Sequence, residues 1–329
     1  MENILREILK FTESYESKDI TKKILHLELP SDILILIEKY ETAGGRRDRS
    51  LWKWCWYVRD SGIILSSVLP EYFNLVSKIR LALTIFITTI DDVADFYKDK
   101  KFLDELTKIP FQLANIDFNN MNGGQRRYTR FTIELWKEIY KLLHKLPRFK
   151  EFEEMLMYDL KHSYDSLYYT YLVNTNPYLI SLEEVKNYES GNMISYVYTG
   201  VELMASPNFD KKEIGTLREI VNYSQQMVRM GNWLGTWKRE IKERDFSSAV
   251  VAYGLHHNII SVDELLTSGN EDYLIKKLEN SIIRDYLLNE WLINYRKIKN
   301  LAPMMNSVNI NAYLEGHKNL LKLQLLCPF

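Results

Sequence analysis

The sequence predicts an all-α fold in a single domain spanning residues 1–329, and three observations carry that reading. Apolar residues recur at helical spacing from one end of the chain to the other. Only 13 Gly and 8 Pro occur in 329 residues, few for a sandwich or barrel built on many tight turns. No alternating strand pair flanks a hairpin turn, and no internal repeat or low-complexity linker interrupts the pattern.

Taken in order, Ile4-Leu5-Ile8-Leu9 and Ile33-Leu34-Leu36-Ile37 show the first helical stripes, with Pro30-Ser31-Asp32 as a helix start. A loop at Gly44-Gly45-Arg46-Arg47 precedes a long helix expected from about Leu51. Leu69-Pro70 breaks the pattern, and a new helix runs from about Tyr72 through Asp95 and beyond. Residues 119–124 form a loop. Helices are then expected over 128–143, 152–174, 182–204, 211–244 and 262–301.

Composition narrows the function. Hydrophobic residues make up 46%, enough for one large core or two modest ones, and the net charge is −1. That balance gives no basic surface for nucleic acid and no polybasic arm for a membrane. Two cysteines, Cys55 and Cys327, make a disulfide framework improbable and point to a reducing compartment. The start, Met1-Glu2-Asn3-Ile4-Leu5-Arg6-Glu7, is acidic too early for a signal peptide. The most apolar stretch, around Leu81 to Ile90, is too short and too close to carboxylates to span a bilayer. A soluble, cytoplasmic protein, monomeric or homodimeric, is expected.

No Gly-rich phosphate loop, zinc spacing or nucleophile elbow occurs, and the six histidines are scattered. Two polar constellations stand out instead. In the first, Asp91-Asp92-Val93-Ala94-Asp95 closes an apolar helical run. Asp91 and Asp95 lie one turn apart on one face with Asp92 beside them. Like charges so placed repel unless a cation neutralises them, and hard oxygen donors suit Mg²⁺. Alone, such a cluster also fits a solvated helix end.

The second constellation is Asn232, Thr236 and Glu240, spaced i, i+4, i+8 along one helix face. Amide, hydroxyl and carboxylate oxygens together can hold a further hard cation. Arg239, beside the last of them, has the geometry to contact a phosphate. Alone, the ladder also fits an ordinary polar stripe on an amphipathic helix.

Together, Asp-Asp-x-x-Asp and Asn-x-x-x-Thr-x-x-x-Glu, about 140 positions apart on an all-helical chain, resemble the class I terpene synthase family, of the single α-domain microbial type. The resemblance implies an antiparallel helical bundle around a deep apolar pocket. It implies three Mg²⁺ ions, with Asp91 and Asp95 holding two, Asp92 in support, and Asn232, Thr236 and Glu240 holding the third. The substrate class it implies is a linear or pre-cyclised prenyl diphosphate, C15 or C20 with a slight lean to C20, ionised to a carbocation that cyclises as diphosphate leaves. Metal ions and cations offset the charge that develops on the leaving group, and a dry pocket protects the cation from water. Aromatic faces can stabilise that cation. Trp52, Trp54 and Trp56, and Tyr164, Tyr168 and Tyr171, are available, although core packing is the simpler account of such stripes. Thr84 and Thr88, which share the face of Asp91, are better pocket candidates.

The chain also departs from the family. Trp233 stands where the family often has Asp. Lys186 stands where many bacterial members carry a diphosphate-sensing arginine, with Glu189 and Gly191 following. The Arg-Tyr pair that caps the closed site in those members is missing, which argues against the commonest bacterial sesquiterpene cyclases. Lys318 is the substitute candidate, on a tail from Asn311 to Phe329 expected to order over the mouth when metal and diphosphate bind. Two other readings stay open: a trans-prenyl diphosphate synthase, which would need a second Asp-Asp-x-x-Asp, and a catalytically inactive helical binding protein.

Overall fold

The computed structural model describes residues 3–14 and 17–327; Met1, Glu2, Tyr15, Glu16, Pro328 and Phe329 lie outside that range. The first two residues of the acidic start and the last two of the tail are therefore among those not described. The described residues form helices joined by short turns, with no strand.

The helices are α1 (Asn3–Ser14), α2 (Ser17–Leu25), α3 (Ser31–Ala43), α4 (Arg49–Val58), α5 (Phe73–Asp92) and α6 (Lys100–Thr107). The middle of the chain supplies α7 (Gly123–Leu143), α8 (Phe149–Thr175), α9 (Leu182–Tyr188), α10 (Ser195–Met204) and α11 (Ile214–Glu243). The remainder are α12 (Ala249–His256), α13 (Val262–Leu266), α14 (Glu271–Glu279), α15 (Ile283–Leu301) and α16 (Ile310–Leu326).

Local chemistry sets many of these boundaries. Asp48 caps α4 by accepting from Ser50 N, and Asn309 caps α16 by accepting from Ala312 N. Asn122 with Gln125, and Ser261 with Glu264, form reciprocal capping boxes at α7 and α13. Each cap contributes about 1 kcal/mol. Gly44, at φ 110°, ends α3 in a conformation that glycine adopts without a steric penalty.

One contiguous apolar core runs from Leu5 on α1 to Leu321 on α16. At its centre α5 packs against α3, α4, α7 and α10, while α11 lies along α15 and α16 and crosses α10. The stretch Pro70–Tyr97 is long and apolar enough to cross a membrane, which the expectation from Leu81–Ile90 alone missed. It is apolar because α5 is buried on most of its circumference, from Val76 through Ile90.

Several expected helices differ. The helix from Leu51 is short, because Val58 passes into a 3-10 turn ending at Gly62, φ 94°. The expected 182–204 helix breaks into α9, a 3-10 turn (Glu189–Met193) and α10, with Ile194 at φ 43° between the last two. The expected 262–301 helix is three helices, divided at Gly269-Asn270 and at Asn280-Ser281. The tail forms α16, a helix packed on α1, α11 and α15. Its apolar face, including Leu314, Leu320 and Leu321, is buried and holds it there.

Candidate active site

Helix α5 ends in the first set of carboxylates. Beyond Asp92 the backbone widens into a π turn, Val93–Tyr97, closed by the Lys98 N–H donating to Val93 O at 2.8 Å. Such i→i+5 turns recur at functional sites. Asp91 and Asp95 line a cavity of about 600 Å³ that runs beside α5 past Thr88, Ile87, Thr84 and Leu81 to Arg80. Eleven residues of helix separate Arg80 from Asp91, a depth of about 16 Å.

Across the mouth, α11 presents the second set. Asn232 and Glu240 line the same cavity, and Thr236 lies between them, buried. The Thr236 hydroxyl is placed to donate to Glu240 Oε1 at 2.7 Å and to Asn232 O at 2.9 Å. Glu240 Oε2 is buried with no hydrogen-bond partner among the described residues. A buried carboxylate oxygen left so is costly unless a cation or donor reaches it.

Asp91 and Glu240 lie in the last turn of their helices, where the helix dipole adds negative potential. The two ends are tied directly: Lys98 Nζ donates to Arg244 O at 3.2 Å, and Arg244 caps α11 at φ 57°. Asp245, which follows, lines the cavity and accepts from Asn174 Nδ2 at 3.0 Å. The mouth therefore gathers Asp91, Asp95, Glu240, Glu243 and Asp245.

Burial pushes Asp91 up to about 6, against the pull of Arg47, with Asp92 and Asp245 adding to the rise. Asp95 is held well above the usual carboxylate range, first by burial and then by Asp91 and Asp245. Glu240 is also raised by burial, with Arg229 opposing. Each of these groups resists ionisation until a further positive charge arrives.

Protein cations occupy part of that role. Arg47 Nε donates to Asp92 Oδ1 at 3.0 Å, and its Nη2 donates to Asp95 Oδ2 at 3.2 Å and lies 3.7 Å from Asp91 Oδ2. Arg229, buried, donates to Asn232 Oδ1 at 2.7 Å and to Glu189 Oε2 at 2.9 Å. Asn192, in the break before α10, donates to Asp91 Oδ1 at 3.1 Å.

The sequence candidates divide. Asp91, Asp95, Asn232, Glu240, Arg239, Thr84 and Thr88 line the cavity. Arg239 sits at its rim, 2.8 Å from Glu243 Oε2. Asp92 turns away from the cavity into the bundle, accepting from Tyr40 Oη at 2.6 Å and from Arg47. Lys186 lies outside the cavity, because Glu290 on α15 (3.2 Å) and Tyr286 Oη (3.2 Å) draw its ammonium away. Lys318 is likewise outside, paired with Glu315 one turn back on α16 at 2.5 Å. Tyr168 faces α6, donating to Asp104 Oδ1 at 2.8 Å, and so lines no part of the cavity. Of the tryptophans, Trp54 and Trp56 line the cavity, while Trp52 packs edge-on against Tyr40 in the core.

Arg47, Arg229, Asn192 and Asp245 were not singled out from the sequence. Arg229 carried a local signal, standing three positions before Asn232 on the same helix face. The others come from loops and breaks, whose placement no periodicity encodes.

The donor sets are all oxygen, which suits a hard divalent ion. Among the described residues, no three His, Cys, Asp or Glu side chains converge at metal-ligand spacing. Two donors of the α11 set are of other types, and Arg47 bridges the α5 set. Residues 82–266 match the terpene synthase family 2, C-terminal metal binding, a stretch that contains both sets. No curated protein matches the chain.

Proposed function

This chain is a member of the terpene synthase family, and from that premise we propose that it binds a linear prenyl diphosphate, C15 or C20, ionises it with Mg²⁺ and cyclises the cation. C20 is favoured on the missing tail pair alone. The observation that carries the reading is the facing of two oxygen-donor sets across one cavity, with Glu240 Oε2 lacking a hydrogen-bond partner among the described residues.

Asp91 and Asp95 on one side, and Asn232, Thr236 and Glu240 on the other, would hold the metal ions. Bound Mg²⁺ supplies positive charge to the departing diphosphate. The chain supplies the rest. Arg239 at the rim can donate to phosphate oxygens. Leu81, Ile87, Val228 and Leu320 give the interior apolar walls that exclude water. Trp54 offers an aromatic face, whereas Arg59 covers Trp56 at 4.0 Å and Arg80 covers Tyr198 at 4.5 Å. The continuous core from α1 to α16 supports reading residues 1–329 as one catalytic domain.

Exhaustive chelation is expected to abolish diphosphate release from geranylgeranyl or farnesyl diphosphate, and Mg²⁺ to restore it. Isopentenyl diphosphate is expected to leave chain length unchanged. Release that persists after chelation contradicts the metal assignment, and an elongated diphosphate would place the protein among chain-elongating enzymes.

A further inference from the structure

We propose that Arg47 is the resident counter-ion of the aspartate set and becomes a diphosphate ligand when a divalent cation takes Asp91 and Asp95. The proposal rests on the metal and diphosphate reading of the site. It concerns a residue outside the stretch that carries the family match.

Arg47 reaches all three aspartates while its side chain stays 15% exposed. One guanidinium thereby occupies the charge position that a hard cation between Asp91 and Asp95 would need. The two cannot both hold those oxygens, since like charges so close repel strongly in a buried site. Asp92 differs from its neighbours because it faces away from the cavity. Its bond to Arg47 Nε can therefore persist as a pivot while Nη2 leaves Asp95.

The backbone beneath Arg47 is fixed. The N–H groups of Arg46 and Arg47 both donate to Tyr40 Oη at 3.0 Å, and Tyr40 Oη donates to Asp92. Gly45 makes that seat possible: a Cβ there would lie 2.2 Å from the Tyr40 ring. The exchange then falls to the side chain alone. Phe96, which lines the cavity, offers a platform, with the Arg46 and Arg47 guanidinium carbons 4.6 and 4.8 Å from its ring centre. Arg229 is buried and committed to Glu189 and Asn232, whereas Arg46 and Arg239 stand nearer the rim and make no bond to Asp91 or Asp95 among the described residues. Once released, the planar fork of Arg47 matches two phosphate oxygens in a way that lysine does not.

Calorimetry on the full chain tests this with MgCl₂ alone, and then with inorganic diphosphate in saturating Mg²⁺. Arg47→Gln removes the competitor and the phosphate ligand together. It is expected to bind Mg²⁺ more tightly than wild type and diphosphate about tenfold or more weakly. Arg47→Lys keeps the charge that steadies the aspartates and so guards against a folding defect. It is expected to bind Mg²⁺ as wild type does and still to lose diphosphate affinity. Diphosphate affinity equal to wild type in either variant overturns the proposal, as does weaker Mg²⁺ binding in Arg47→Gln. Wild type that takes up no diphosphate in Mg²⁺ overturns the site reading itself, and the proposal with it.

Discussion

Thr236 stands where a ligand and a packing residue make opposite demands. Its hydroxyl contacts both Glu240 and the Asn232 carbonyl, and its side chain is buried. Thr236→Ser keeps the oxygen, whereas Thr236→Val keeps the shape and removes it. If the oxygen binds metal, Ser retains substantial turnover and Val loses most of it, on the order of 10²-fold for a displacement of about 1 Å. Val also leaves Glu240 Oε1 without its donor, which lowers stability by about 1–3 kcal/mol. Steady-state rates at several Mg²⁺ concentrations, beside thermal melts, separate the two effects. Equal turnover in Val and wild type removes Thr236 from the metal site. Asp91 gives a second residue-scale test, through pH. Burial raises its carboxyl to about 6, so the folded, metal-free protein holds this proton more tightly than the unfolded chain does. The stability it contributes is present below the unfolded carboxylate range and is lost as pH rises through about 6. Mg²⁺ must displace that proton below pH 6, so Mg²⁺ affinity is expected to fall as pH drops through about 6. Magnesium titrations followed by thermal shift on both sides of that value check this. A flat profile contradicts it.

At the scale of elements, what was legible was periodicity. Helices α5, α7, α8 and α11 follow their apolar stripes, and the α11 donor set is an i, i+4, i+8 pattern that one helix carries, whereas Asp95 follows Asp91 beyond the end of α5 in the π turn. The failures have different physical causes. The break at Ile194 puts a buried β-branched residue at φ 43°, a conformation costing roughly 1–3 kcal/mol that no local propensity favours. Only tertiary packing maintains it, so the sequence reads as one helix from 182 to 204. The breaks at Gly269-Asn270 and Asn280-Ser281 did carry turn residues, and there the length of the apolar pattern misled. On α16, Gly316 and His317 are buried with the apolar stripe. Gly316 is in fact the seat: its Cα lies against the Gly62 turn, and a Cβ would fall 2.3 Å from Gly62 O. Gly316→Ala is therefore expected to destabilise the protein by about 1–3 kcal/mol and to speed hydrogen exchange along α16. Unchanged melting and exchange would show that the close approach of the two backbones carries no weight.

For the whole molecule, the arrangement brings two helix ends together into one mouth dense in carboxyl groups over a partly apolar interior. Lys98 ties the end of α5 to the end of α11, and Asn174 on α8 holds the Asp245 loop beside them. Arg46, Arg47, Arg229 and Arg239 stand among these carboxylates, yet Glu240 Oε2 remains without a partner among the described residues. Such a mouth favours uptake of further positive charge, and the cavity behind it has room for a flexible apolar chain. The two oxygen-donor sets could be picked out from the sequence because each is local; their counter-ions could not, because Arg47 reaches Asp92 from a loop some 45 positions away. The most direct test incubates the protein with geranyl, farnesyl and geranylgeranyl diphosphates in Mg²⁺, with gas chromatography of the extract and Glu240→Ala alongside. A cyclic hydrocarbon or alcohol formed by wild type, absent from Glu240→Ala and from chelated samples, is the predicted result. No cyclic product from any of the three substrates, or the same product from Glu240→Ala, would contradict the account.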